Sequence, residues 1–414
     1  MYRGKMIDYP NELDKIFDKL KKYHIKPIIV GGYIRDSLLH RASKDIDIEL
    51  YGVESFEKLE ALLVEFGEVN SVGRSFGVCK LNYKDLELDF SLPREDSKIA
   101  QGHKGFQVTT DAKMEFATAA SRRDFTINSL GYDLQEKKLL DPFGGLEDLE
   151  KKLLRATDLS KFAEDPLRVL RAVGFATRFD FVLDEALFLL CQKMFEDGAL
   201  EELALERVYD EIKKLLLKSK KPSIALTLLQ QLHGFVYFQE LALLKEQEWN
   251  KILQALDIAK RSMPVMLALL SSQLQDRALY NFLYRVTNKQ RLIKDVCSLL
   301  DAKESISLDN FHTYDVYKLA TLVDIELFGE FLSALYLHKK EQEIDNLLRV
   351  AKELGVLHKA AKALLQGRDL IELGLKPSKK FSQILKKAYE AQMHQEFSNH
   401  TEAVLWLKKN INSF

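Results

Sequence analysis

"IIVGGYIRDSLLHRASKDIDIEL", residues 28–50, decides the fold. A short apolar run ends in Gly31 and Gly32, a helix-forming stretch follows, and a second apolar run carries Asp45 and Asp47 with one residue between them. The order is strand, glycine turn, helix, strand. Side chains alternate across a strand, so Asp45 and Asp47 face the same way. Carboxylates that close repel, and each raises the pKa of the other. A cation between them removes the conflict. The glycines ahead of the helix let backbone approach a phosphate and aim N–H groups at it. Without a third glycine, "GGYIRD" does not support a dinucleotide fingerprint.

Downstream, "LELDFSLPRED" places Asp89 on another apolar strand, with Glu87 on the same face; either can be a third ligand. Three carboxylates on neighbouring strands form an oxygen-only site that suits Mg²⁺ or Mn²⁺. Beside a phosphate-gripping turn, this implies phosphoryl or nucleotidyl transfer, with two metal ions flanking the reacting phosphorus.

Around this motif, residues to about 150 mix strands and helices. "NELDKIFDKLKKYH" has helical spacing of Leu13, Ile16, Phe17 and Leu20. "KPIIV" is a buried strand, and "FGVCKLNYKDLELDFSLP" a strand pair turning near Tyr83-Lys84. Beyond residue 150 one helical stretch follows another, with sparse glycine and proline. The predicted class is α+β: a small mixed-sheet head over 1–152, then an elongated all-helical neck over 153–235 and a helical body and tail over 236–414.

The chain has 414 residues, 46% apolar and 30% charged. No run approaches the roughly 20 apolar residues of a membrane span. "MYRGKMIDYP" has no apolar core after its basic residues and does not read as a signal peptide. Cys79, Cys191 and Cys297 lie far apart, without metal-binding spacing, which suits a reducing cytoplasm. A net charge of −1 excludes a polyanion binder by bulk charge, so any nucleic-acid surface is a local patch. Lysines cluster at 213, 214, 218, 220 and 221, at 379, 380, 386 and 387, and at 408 and 409; the expectation for each is a solvated helix face.

The motif "GGYIRD…DID" resembles the head of the nucleotidyltransferase superfamily that contains DNA polymerase beta. "ASRRDFTINSLGYD", "LLDPFGGLEDL" and "FAEDPLRVLRAVGF" then follow in the order and spacing of class II tRNA nucleotidyltransferases (CCA-adding enzymes) and bacterial poly(A) polymerases. The similarity is strongest over residues 26–235, and "LLQGRDLIELGLKPSKKF" resembles the family tail, with "KPSKKF" replacing a glycine-rich turn. The resemblance implies that Asp45 and Asp47 are metal ligands; from the strand reading Asp89 is the expected third catalytic carboxylate, with Glu87 the open alternative. Gly31, Gly32 and Arg35 would touch the triphosphate, and Arg123 and Asp124 would lie against sugar and phosphates. "DPFGG", Asp141 to Gly145, is read as a structural turn closing the head.

"EDPLRVLRA" carries the expected base selectivity. Asp165, Arg168 and Arg171 are spaced by three and share a broad face of one helix. A carboxylate accepts hydrogen bonds and a guanidinium donates them. Cytosine and adenine both offer an amino donor beside a ring-nitrogen acceptor; guanine and uracil offer the reverse. Asp165 with Arg168 therefore matches C and A. Asp165 also precedes Pro166, the sequence of a helix cap. Gly174 stands where many relatives carry another arginine, and Arg178 is no obvious substitute. "PREDSKIAQGHKGFQVTTD", with Arg94, Lys98, His103 and Lys104, is expected to be a mobile loop, the kind this family ties to the switch from C to A.

The implied function is addition of C, C and A to the tRNA 3′ end from CTP and ATP, using Mg²⁺ or Mn²⁺ and releasing pyrophosphate, in the cytoplasm. The alternatives are a poly(A) polymerase, a CC- or A-adding specialist with the same head, and a catalytically inactive RNA-binding protein. The intact acidic pair and Arg123 speak against the last.

Overall fold

The computed structural model describes residues 7–53, 55–70, 78–98, 106–377 and 379–410. The chain divides into two compact units. One comprises Met1–Lys220 and Ile224–Ala242; the other comprises Lys221–Ser223 and Leu243–Phe414.

The first unit is built on one mixed sheet. Its strands are β1 (Lys26–Val30), β2 (Asp45–Tyr51), β3 (Glu68–Asn70), β4 (Val78–Tyr83) and β5 (Leu86–Ser91). A hairpin of β6 (Arg94–Lys98) and β7 (Phe106–Thr110) stands outside it, and β8 (Gly131–Asp133) and β9 (Lys138–Leu140) complete it. The sheet order is β3-β4-β5-β2-β1-β8-β9. Strand β2 is internal, antiparallel to β1 and parallel to β5. The parallel pair is joined by a crossover through α3 (Phe56–Leu63), as parallel pairing requires. The β4–β5 hairpin turns at Lys84, whose φ of 55° lies in the left-handed region that such turns use.

Helix α1 (Asp14–Lys22) forms from the predicted spacing and buries Ile16, Phe17 and Leu20. Helix α2 (Gly32–Leu38) follows β1 directly and packs on β1 and β2. Ile46, Ile48, Ile28 and Ile29 are almost wholly buried, so the apolar alternation of β2 fills the core while its acids face away. The expected loop at 93–111 is instead this β6–β7 hairpin, with Arg94 opposite Thr110. Only the second flank, "FQVTT", carries strand-forming residues; "REDSK" is wholly polar and gives no strand signal in the sequence. His103 and Lys104 lie outside the described residues.

Helix α4 (Phe116–Ala120) leads to the "RRDF" turn, and α5 (Gly145–Lys151) follows "DPFGG". Asp141 accepts hydrogen bonds from the N–H groups of Gly145 and Leu146, at 2.7 and 3.0 Å, and so caps α5 as a structural turn. Next come α6 (Leu159–Ala163), α7 (Leu167–Phe179), α8 (Glu185–Glu196) and α9 (Leu205–Lys218), with α7 packed along α9. Two short parallel strands, Leu153–Leu154 and Val182–Leu183, interrupt what was expected to be purely helical.

The second unit is helical from Glu246–Ile258 to His400–Asn410. Residues 365–407 carry an apolar cluster of their own, with Leu370, Ile384, Phe397 and Leu407 at its centre. In the "KPSKKF" stretch, Ser378 lies outside the described residues.

Candidate active site

The register of β2 sets the site. Asp45 lies opposite Glu87 and Asp47 opposite Asp89 on β5; Val30, just before Gly31, lies opposite Asp47 on the other side. The acidic pair therefore shares one face with both downstream candidates, and Gly31 sits at its edge. Asp45 and Asp47 are exposed. Asp47 reaches solvent through a cavity but is hemmed in by protein, and this enclosure raises its pKa above the ordinary 3.8; Arg123 opposes the shift, and Asp89, Glu49 and Asp45 reinforce it. A carboxylate held in that state gains from a cation, and Asp45 and Asp47 are the residues placed to hold one.

Asp89 is in register but engaged: Lys80 Nζ donates to its two oxygens at 3.0 and 2.8 Å. Among the described residues, no three acidic, histidine or cysteine side chains converge as a metal-binding group. Glu87 is exposed beside Asp45.

The cavity measures about 410 Å³ and is lined from four directions. Gly31, Gly32, Arg35 and Asp47 come from the sheet and α2; Arg122, Arg123, Asp124 and Asn128 from the "RRDF" turn; Asp165, Arg168, Arg171 and Phe175 from the start of α7; and Arg207 from α9. The sequence motifs singled out separately thus meet at one place. Asp45 and Asp89 lie outside this lining.

Several of these residues do something other than expected. The Gly31 N–H is already donated to the Leu130 carbonyl at 3.1 Å, so it is not free for a phosphate. Gly31 has φ +72°, and a Cβ there would lie 2.8 Å from Arg123 Nη1. It is glycine to make room for that guanidinium. Arg35 is buried; it donates to Asp36 and Asn128, and its guanidinium lies over Phe175 and Phe179 at 5.1 and 4.7 Å. Burial pulls its pKa down, with Asp36 opposing. One edge of Arg35 faces the cavity while its fork is held by protein.

Asp124, expected against sugar and phosphates, lines the cavity and is almost wholly buried, anchored by protein partners. It accepts from Arg171 Nε and Nη2 at 2.8 and 2.6 Å and from Asn128 Nδ2 at 2.8 Å. Burial works against its ionisation, yet Arg171 and Asn128 outweigh it and hold the carboxyl below its ordinary range. Arg171 is raised correspondingly by Asp124.

The residues expected to select the base both line the cavity and are held by protein partners. Asp165 Oδ1 accepts from Leu167 N at 3.2 Å, so the cap is present. Its Oδ2 accepts from Arg207 at 3.0 Å, and not from Arg168. Arg168 donates to the carbonyls of Lys161 and Arg122 at 2.8 and 2.6 Å, tying α7 to the "RRDF" turn.

Sequence reasoning missed Arg122, Asn128, Phe175, Arg207 and, beneath the cavity, Glu49. Arg122 and Asn128 stood inside a quoted motif; nothing local links Arg207 to Asp165, which lies 42 residues earlier. Glu49 continues the Asp45, Asp47 alternation and is wholly buried. Its Oε1 accepts from Arg122 and Arg123 at 3.0 and 2.9 Å. Burial opposes its charge, but Arg123 and Arg122 prevail and lower its pKa. At Gly174 a second cavity of about 150 Å³ opens, with Arg178, Lys214 and Lys218 on its wall. Arg178 thus reaches the space beside the missing side chain.

Residues 28–155 match the poly A polymerase head domain, and residues 261–407 match tRNA nucleotidyltransferase domain 2. The multifunctional CCA protein of Stenotrophomonas maltophilia is 36% identical over 213 residues, which cover 51% of this chain and 50% of that one. The CCA-adding enzyme of Alteromonas mediterranea is 36% identical over 209 residues, covering 50% of each. The chain spans about half the length of the curated relatives it matches. Among solved structures, the Bacillus stearothermophilus CCA-adding enzyme in complex with CTP superposes with a TM-score of 0.74 at 21% identity, covering 98% of both chains. The Thermotoga maritima CCA-adding enzyme complexed with tRNA gives 0.64 at 21% identity, over 99% of this chain and 100% of that one. At such identities the likeness is one of fold. The chain thus carries a stretch similar to the poly A polymerase head domain and a later stretch similar to tRNA nucleotidyltransferase domain 2, and the curated relatives it resembles over half their length are CCA-adding enzymes and multifunctional CCA proteins.

Proposed function

We propose that the chain is a cytoplasmic enzyme that adds C, C and A to the 3′ end of tRNA from CTP and ATP, without a nucleic-acid template. The observation that carries this is the cavity itself, where Asp47, the Arg122–Arg123 pair and the start of α7 meet. Asp45 and Asp47 would hold the divalent cation, Mg²⁺ or Mn²⁺, with Asp89 joining once the exposed Lys80 swings away; such surface pairs are worth only about 0–1 kcal/mol. The cation supplies charge neutralisation at the triphosphate and activation of the attacking hydroxyl.

The remaining work falls to side chains of this chain. Arg123 and Arg122, held from below by Glu49, present positive charge to the triphosphate. The buried Nε of Arg123 has no hydrogen-bond partner among the described residues, a donor that a phosphate oxygen would satisfy. Gly32 gives the triphosphate close approach, and Arg35 closes the cavity behind it. Asp124 positions Arg171, and Phe175 offers a flat apolar wall. Asp165, oriented by Arg207, has lone pairs left to accept from the amino group of cytosine or adenine. Arg168 would donate to the ring nitrogen. Presenting G or U here would oppose like to like at a cost of about 1–3 kcal/mol for each unsatisfied group.

The test is to incubate tRNA lacking its terminal trinucleotide with each NTP singly and together, plus Mg²⁺, and to sequence the products. The expected product ends in C-C-A and grows no further. Long A tails would mean a poly(A) polymerase, C-C alone or A alone a specialist, and no product an inactive RNA-binding protein.

A further inference from the structure

We infer that Glu49 is a positioning residue that keeps Arg123 off Asp47 and so leaves the acidic pair available to a divalent cation. The inference rests on the metal site proposed above.

Arg123 has two carboxylates within reach. The point where a Cβ on Gly31 would sit is 2.8 Å from Arg123 Nη1 and 3.7 Å from Asp47 Oδ2, so both flank one spot beside the turn. Yet Arg123 forms its ion pair with Glu49, at 2.9 Å, and among the described residues none with Asp47. Glu49 is built to win this competition. It is 0% exposed, so its attraction is little screened by water, whereas Asp47 opens to solvent. The Tyr51 hydroxyl donates to Oε2 at 3.1 Å, which fixes the carboxylate so that Oε1 faces both arginines. Arg122 binds the same Oε1 at 3.0 Å. One buried negative charge thus retains two cations that line the nucleotide cavity.

Without that charge, Asp47 is the carboxylate across the Gly31 turn that already lies in the field of Arg123. A guanidinium paired there would occupy, by charge and by position, the place of the divalent ion. Strand geometry makes the arrangement possible: Asp45, Asp47 and Glu49 are at i, i+2 and i+4 on one face, the first two open and the third under the "RRDF" turn. The acids divide the work, two for the ion and one for the arginines that would otherwise compete with it.

The full chain is titrated with Mn²⁺ and the free ion is followed by electron paramagnetic resonance, with Asp47→Asn defining the signal from the acidic pair. For Glu49→Gln the Kd for that site should rise on the order of tenfold, as expected when a unit positive charge comes within a few ångströms. Adding Arg123→Gln to Glu49→Gln should bring it back to within about threefold of wild type. A purely structural role for Glu49 would not yield that recovery. If circular dichroism shows Glu49→Gln unfolded, Glu49→Asp, whose charge stops one methylene short, takes its place with the same expectations. An unchanged Kd, or a loss that Arg123→Gln does not relieve, overturns the inference. Wild-type protein whose Mn²⁺ binding is indifferent to Asp47→Asn would instead refute the metal site beneath it.

Discussion

Asp47 and Asp124 are separated by what surrounds them more than by their chemistry. Asp47 stands at the cavity and, among the described residues, no basic side chain pairs with it, whereas Asp124 is buried with Arg171 clamped on one oxygen. Replacing Asp47 with Asn should therefore abolish nucleotide incorporation, with folding and RNA retention in a filter-binding assay unchanged; near-normal turnover would remove it from catalysis. Replacing Asp124 with Asn leaves Arg171 charged beside a neutral amide. The loss should be about 3 kcal/mol at pH 7, the low end for a broken buried pair, since Arg171 keeps some solvent. Because the folded pKa of Asp124 is depressed, its ionic contribution is full above the ordinary value of 3.8 and fades as pH falls through the folded value. Urea midpoints should show wild type and variant far apart at pH 7 and converging below pH 3.8; a constant gap would contradict the pairing. The acidic pair was legible because alternation is a local rule. The burial of Asp124 and Glu49 was not, since a carboxylate looks the same in sequence whether it meets metal, phosphate or arginine.

Among the elements, the β1 turn illustrates how one residue type serves a different purpose from the one its motif suggests. Two glycines before a helix read as a phosphate grip, but Gly31 spends its N–H on Leu130 and yields its side-chain space to Arg123. Gly31→Ala meets both a left-handed φ of +72° and a 2.8 Å contact. We expect about 1–3 kcal/mol of destabilisation from the backbone alone and a raised KM for both CTP and ATP as Arg123 shifts; an unchanged KM would separate Gly31 from the arginine. Strand and helix positions followed from periodicities of 2 and 3.6, while the β6–β7 hairpin was hidden by its polarity. The start of α7 was legible as a helix with a cap. Its partner Arg207 was not, because α9 reaches Asp165 only through helix packing. Arg207→Ala should relax the preference for CTP and ATP over GTP and UTP by about tenfold, measured as the ratio of kcat/KM, since Asp165 loses the contact that orients it. Selectivity equal to wild type would take Arg207 out of base choice.

At the scale of the molecule, the chain has two compact units, and the residues expected to form head (1–152) and neck (153–235) fall together in the first, which ends near Ala242. Head and neck share one unit because Asp124 with Arg171, and the Arg122 carbonyl with Arg168, fasten them across the cavity. Composition could not reveal this: the shift from strands to helices near residue 150 marks a change of element type, not of core. Apart from the tail motif near residue 364, the second unit was legible only as helix after helix, since its packing is set by side chains distant in sequence. Calorimetry should resolve two unfolding transitions, of which Asp124→Asn lowers only one; a single transition displaced as a whole would mean the units unfold together.

Strand β2 holds Ile46 and Ile48 toward the core and Asp45, Asp47 and Glu49 away from it, between neighbours of opposite direction. A pairing error of one residue there would put three carboxylates into hydrocarbon and two isoleucines into the cavity. A slip in this strand should therefore silence a molecule outright rather than weaken it, so that among slipped and unslipped molecules the specific activity counts the correctly paired fraction.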